Sequence, residues 1–175
     1  PARMCAVPKT QKGPRLIAAE PSAHQWIQGG LQRWFEDRIR SSFLGISIDF
    51  RSQEYSRALA LEASATRQFA TVDLSAASDR LSTRLVQFVF QGNHALLDAL
   101  HACRSRSLVI PKGLTSFLQT DDLIILRKFA PMGSACTFPV QTIVFTMIAH
   151  FALAMAEQDW DCTLDGFRRR ASRIR

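Results

Sequence analysis

Cysteine is sparse and scattered in this 175-residue chain. Cys5, Cys103, Cys136 and Cys162 form no C-x-x-C pair. That spacing argues against a zinc site and gives a disulfide framework no support. A reducing cytoplasm is the simplest setting for such thiols. The N-terminus lacks the charged, apolar and small-residue order of a signal peptide. No apolar run stands out as long enough to span a bilayer, so no membrane is expected. There is no internal repeat and no low-complexity tract, which excludes a solenoid or a fibrous chain. The first residue is Pro1 rather than Met, and the closing "RRRASRIR" has no Gly or other cap. The chain is therefore expected to be cut at both ends.

What is present is a core and a positive charge. Hydrophobic residues make up 47%, ample for a packed interior and too rich for a disordered chain. The net charge is +7 and the pI is near 9.9, which favours a polyanion partner such as nucleic acid, or an anionic membrane surface. Residues 1–20 are extended and basic, broken by Pro8, Gly13 and Pro14. Residues 22–42 read as a helix on the spacing of Trp26, Ile27, Leu31, Trp34, Phe35 and Ile39. A second helix falls at 52–65, a third at 83–102, and a long apolar one from about Phe138 to Glu157. "QFATVDL" (68–74) reads as a strand ending at Asp73. "SLVIPKG" and "DLIILRKF" read as a hairpin within 107–129. Strands and helices mix without a βαβ period, so the predicted fold class is α+β.

Three stretches hold candidate chemistry. In "ATVDLSAASDRLS" (70–82) an acid ends an apolar run and small residues follow. A carboxylate at a strand end suits a hard divalent cation, and small neighbours leave room for a triphosphate. On Asp73 alone a plain Asp-Ser turn is the commoner meaning. Ser78, Asp79 and Ser82 have an equally ordinary use as caps of the helix that follows. In "VPKTQKGPRLIAAEP" (7–21), Lys9, Lys12 and Arg15 recur every third residue and can present cations to one phosphate chain. A solvated basic loop is the usual alternative. In "KFAPMGSACTFPVQTIVF" (128–145) a Gly-Ser loop feeds a helix N-terminus, able to meet phosphates or ribose hydroxyls, or merely to start a helix. The four histidines read as helix-surface or core residues, and Trp26, Trp34 and Phe35 read as core rather than as base-stacking platforms. Arg168, Arg169 and Arg170 read as a solvated charge run.

In this order the three stretches resemble motifs F, A and B of the RNA-dependent RNA polymerase of leviviruses, the single-stranded RNA bacteriophages. The resemblance runs across essentially the whole chain and is most specific at "TVDLSAASDRLS". It implies a right-hand polymerase fold. Residues 1–67 would belong to the fingers, and 68–175 would form a partial palm truncated before motif C. It implies template-directed RNA synthesis by two-metal nucleotidyl transfer with magnesium, or manganese in its place. Asp73 would be the catalytic metal ligand. Asp79, with Ser78 sharing the role, would read the ribose. Many palm polymerases place the second motif A acid five positions after the first, and here it is six. Lys9, Lys12 and Arg15 would hold the triphosphate. Gly133, Ser134 and Thr137 would meet template and ribose, with Gln141 standing where many viral polymerases have Asn. The implied partners are RNA template and product, ribonucleoside triphosphates and host translation factors, in the cytoplasm of a bacterial host. The Gly-Asp-Asp turn of motif C is absent. "TDDLIIL" (120–126) imitates it, but lies between motifs A and B and reads as a hairpin turn carrying Asp121 and Asp122. The chain is expected to be an incomplete fragment, inactive alone. The alternative is a basic RNA-binding fragment without catalysis.

Overall fold

The basic N-terminal stretch is paired. In the computed structural model, which describes residues 1–10, 13–113, 115 and 121–174, strands β1 (Ala2–Thr10) and β2 (Gly13–Ala19) run antiparallel. Val7 faces Arg15 across the ladder, and the register is irregular between Val7 and Thr10. Pro8 falls in that irregular stretch, where a missing N–H interrupts the ladder least. β3 (Ser107–Val109) joins β1 in parallel, and β4 (Leu123–Ile125) closes the expected hairpin against β3. The sheet order is β2-β1-β3-β4. Six helices accompany it among the described residues: α1 (Ser22–Arg40), α2 (Glu54–Thr66), α3 (Thr83–Phe90), α4 (His94–Cys103), α5 (Thr137–Glu157) and α6 (Leu164–Ala171). The mixed α+β class is as expected.

The chain divides into two compact units, Pro1–Arg33 with Ala76–Gln141, and Trp34–Ser75 with Thr142–Arg175. In the first, Met4, Ala18, Leu81, Val86, Leu100, Ile110, Phe129 and Val140 form the core. In the second, Phe35, Ile39, Ile48, Val144 and Ala171 do.

Four expectations are corrected. The helix predicted over 83–102 is two helices. Asn93 accepts a hydrogen bond from the Leu96 amide at 3.1 Å, and this local cap after Gly92 outcompetes continuation. Residues 68–74 form no strand. No described strand lies alongside to satisfy their backbone, and an unpaired strand is not stable. Residues 68–72 line an open groove of about 580 Å3 together with Leu59 and Ala63 of α2 and Leu153 of α5. Third, α5 is long and apolar enough to cross a membrane by length and composition, with a mean hydropathy of 1.6 in its most apolar window. Its Val140 and Val144 are core residues, whereas Ile148 and Phe151 are exposed. Finally, Phe35 is buried but Trp26 is 82% exposed, so the α1 apolar spacing does not all face inward.

In the second unit, α6 is held by its own basic run. Arg170 is buried. It donates to Asp159 Oδ2 at 3.0 Å and to the Asp161 carbonyl at 2.6 Å, and lies over the Phe167 ring. Arg169 reaches Asp161 at 2.9 Å. Hydrogen bonds from Thr163, then Arg169, hold the Asp161 carboxyl down at about 2. A solvated run therefore describes the exposed but ion-paired Arg168 and Arg169, and not Arg170.

His150, packed 5.5 Å from Phe167, is buried, and neither ring nitrogen has a hydrogen-bond partner among the described residues. Burial, then the Arg170 cation, pushes its pKa below 6.5. The unfolded chain takes up a proton that the folded chain resists. Stability therefore falls as pH drops below about 6.5, by up to about 1.4 kcal/mol per pH unit from this group. His150→Phe is expected to flatten that slope in denaturant melts between pH 7 and pH 5. An unchanged slope would assign it elsewhere.

Candidate functional site

The acid that opens the 73–82 loop lies at the surface. Asp73 is exposed, flanked by exposed Val72 and Leu74, in the second unit. The chain then turns through Ala76, whose φ of 53° is left-handed. That conformation costs on the order of 1 kcal/mol for a non-glycine residue, and a methyl side chain keeps the crowding low. The Ala76 carbonyl accepts the amides of Asp79 at 3.0 Å and Arg80 at 3.2 Å, closing a 3-10 turn over Ala77–Arg80. Ser78 is buried in that turn. Of the residues with an alternative use as helix caps, Ser82 takes it, accepting from the Leu85 amide at 3.1 Å. Asp79 is held by the Lys128 ammonium instead. The pair is half-exposed, so it contributes about 1 kcal/mol or less. Its geometry is set from beneath: buried Arg104 donates to the carbonyls of Phe129 at 2.7 Å and Lys128 at 3.1 Å. Burial, then Arg106, draws the Arg104 pKa down.

The Gly-Ser loop is anchored on the basic hairpin. The Ala18 amide of β2 donates to the Met132 carbonyl at 2.8 Å. Gly133 follows with φ +124°, and a Cβ there would stand 2.2 Å from the Ala18 carbonyl oxygen. Only glycine permits both the dihedral and the approach. The Thr137 hydroxyl donates to the Pro131 carbonyl at 3.1 Å, and the Thr137 amide to the Ser134 carbonyl at 3.1 Å. Ser134 and Thr137 are buried, while Gly133 is at the surface. One turn on, the Gln141 side-chain oxygen is buried without a partner among the described residues. An orphaned acceptor of this kind is costly unless something donates to it.

The first unit thus contains Lys9, Arg15, Ser78, Asp79, Gly133, Ser134, Thr137 and Gln141. Lys9 and Arg15 are exposed on adjacent strands of one hairpin. Lys12 lies outside the described residues. Asp73 belongs to the second unit. Asp121 and Asp122 are exposed at the entry to β4, where the Asp122 carbonyl accepts the Ile110 amide at 2.8 Å. Sequence reading missed four residues that build the site's frame: Glu20, Gln28, Arg104 and Lys128. Only a buried polar partner map reveals such residues, since each looks like a surface residue in sequence.

The described residues do not fit a metal site alone. No three of His, Cys, Asp and Glu gather among them, and Asp73 offers one carboxylate. What the arrangement offers chemically is exposed cations, exposed acids and an unused amide oxygen, suited to a ligand bearing phosphates and hydroxyls.

The family model described as "RNA replicase, beta-chain" matches residues 1–165, and the chain belongs to that family. It is similar to the RNA-directed RNA polymerase subunit beta of Enterobacteria phage SP, 31% identical over 87% of this chain and 24% of that protein. The corresponding subunit of Escherichia virus Qbeta is also 31% identical, over the same shares. The RNA-directed RNA polymerase beta chain of Escherichia phage MS2 is 29% identical over 81% of this chain and 23% of its own length. The chain spans about a quarter of the length of the curated relatives it matches.

Proposed function

We propose that this chain is a segment of an RNA-directed RNA polymerase that copies a phage RNA genome in the cytoplasm of its bacterial host. The observation that carries this reading is the replicase family match over residues 1–165. In this reading 1–67 contribute to the fingers and 68–175 to the palm of a right-hand fold. Lys9, Lys12 and Arg15 hold the triphosphate of an incoming ribonucleotide. Asp79 and Ser78 address its ribose. Gly133, Ser134 and Thr137 shape the surface that meets template and ribose, mainly through backbone groups. Gln141 offers its orphan oxygen as a hydrogen-bond acceptor. Asp73 contributes one carboxylate to a divalent-metal site, for magnesium or manganese, that carboxylates beyond those described must complete. The two-metal transfer implied by the resemblance needs those further ligands, so no step is assigned to a metal here. The described residues supply no argument for host translation factors, and none is proposed.

The competing reading is a basic RNA-binding segment without catalysis. Primer extension on a defined RNA template, with the full-length protein and ribonucleotides supplied one at a time, separates the two. Extension is expected to stop one position before each withheld complementary nucleotide. RNA binding without extension would favour the competing reading.

A further inference from the structure

Gln28 is buried completely on α1, yet its amide serves three separate parts of the first unit. Its nitrogen donates to the Cys103 carbonyl at the end of α4, at 2.7 Å, and to Glu20 Oε2 just after β2, at 3.2 Å. Its oxygen accepts the Ala135 amide of the Gly-Ser loop, at 3.2 Å. Its own backbone carbonyl accepts the Cys136 thiol at 3.8 Å. Glu20 Oε2, fully enclosed, takes a second hydrogen bond from Ser105 at 2.8 Å. A buried carboxylate is costly without donors, and among the described residues those of Glu20 all reach Oε2, leaving Oε1 without one. Gln28 is one of its donors, and among the described residues the only side chain that bonds both Glu20 and the loop.

The consequence is geometric. The hairpin bearing Lys9 and Arg15 leads through Ala19 into Glu20. The loop bearing Gly133 and Ser134 leads through Ala135 into α5. These two elements meet directly at Ala18 and Met132, a backbone contact that alone leaves a hinge. The Glu20–Gln28–Ala135 chain adds a second, buried attachment, and two attachments fix an orientation where one does not.

We propose that Gln28 is a positioning residue that locks the register between the cationic hairpin and the Gly-Ser loop, and so sets the affinity for the incoming nucleotide. This rests on the polymerase reading, in which both elements address the same nucleotide. Gln28 touches no substrate; it acts through Glu20 and Ala135. Loss of the lock lets the two elements shift relative to each other, and displacement of about 1 Å in a binding constellation reduces efficiency by up to about a hundredfold. RNA binding, spread over many backbone phosphates, is insensitive to that shift.

The test uses the full-length protein and single-nucleotide incorporation on a primed RNA. Gln28→Met keeps the side-chain volume and removes all three amide bonds. Gln28→Glu keeps the acceptor for Ala135, removes both donors and sets a carboxylate against Glu20, giving a second variant should the first not fold. Leu100→Ala, a buried apolar truncation in the same unit, serves as the control for lost stability. All are measured well below their melting temperatures. The expected result is a rise in KM for the nucleotide of at least about tenfold in either Gln28 variant. Its kcat falls less, its Kd for primed RNA stays unchanged, and Leu100→Ala keeps the wild-type KM. The proposal is overturned if a Gln28 variant keeps the wild-type KM, or raises it no more than Leu100→Ala does. If the wild-type protein itself adds no nucleotide, the polymerase reading fails first, and that outcome is distinct from an active wild type with an indifferent Gln28.

Discussion

Asp73→Asn is expected to leave the full-length protein folded and to slow nucleotide addition about a thousandfold or more. Both halves follow from where the residue stands. Its side chain is exposed and outside any helix or strand, so exchanging it for an isosteric amide changes stability by about 0.5 kcal/mol or less. The same exchange removes the charge that a hard cation requires, and a neutral amide oxygen is a far weaker ligand. Melting temperature and single-turnover incorporation, measured on the same preparation, check the two halves. A variant that melts as wild type and still incorporates at the wild-type rate would reduce Asp73 to a turn residue.

Gly133→Ala is expected to destabilise the first unit by about 4 kcal/mol or more. Two independent penalties add. At φ +124° an L-residue is strained wherever it sits, and the new Cβ would lie 2.2 Å from the Ala18 carbonyl oxygen. That oxygen belongs to backbone of β2, held in its ladder to Met4, so it cannot swing aside as a flexible side chain would. Gly29→Ala and Gly30→Ala make the contrast. Both sit inside α1 with open space where a Cβ would go, and each is expected to stabilise by up to about 1 kcal/mol. Denaturant melts of the three variants provide the comparison. A Gly133→Ala protein melting beside Gly29→Ala would show that the loop does not make the close approach described.

How much of this was legible beforehand depended on how local each cause was. The 107–129 hairpin and helices α1, α2 and α5 follow from short-range apolar spacing, and the structure has them. The cap at Asn93 is just as local, but it lies within an otherwise continuous helical pattern and is easily passed over. The 68–74 segment has the composition of a strand and is not one, because a strand is completed by its neighbour and composition cannot supply it. In the candidate site, the glycine-dependent loop and the exposed acids were readable. The Lys128 partner of Asp79, the Arg104 brace and the Gln28 lock were not. Gln28 stands between Ile27 and Gly29 like any surface glutamine. Its burial shows only in its seven- and eleven-residue spacing from Phe35 and Ile39, which share its helix face.

The most direct test of the central claim sets two acids against each other. Asp73 stands directly before Leu74, Asp121 opens the acidic pair that precedes Leu123, and both acids are exposed. Only Asp73 is assigned to the reaction. Single-nucleotide incorporation by the full-length protein is measured for wild type, Asp73→Asn and Asp121→Asn. The account predicts a silent Asp73→Asn and an Asp121→Asn indistinguishable from wild type. An active Asp73→Asn beside a silent Asp121→Asn would contradict it, moving the reaction to the β3–β4 hairpin.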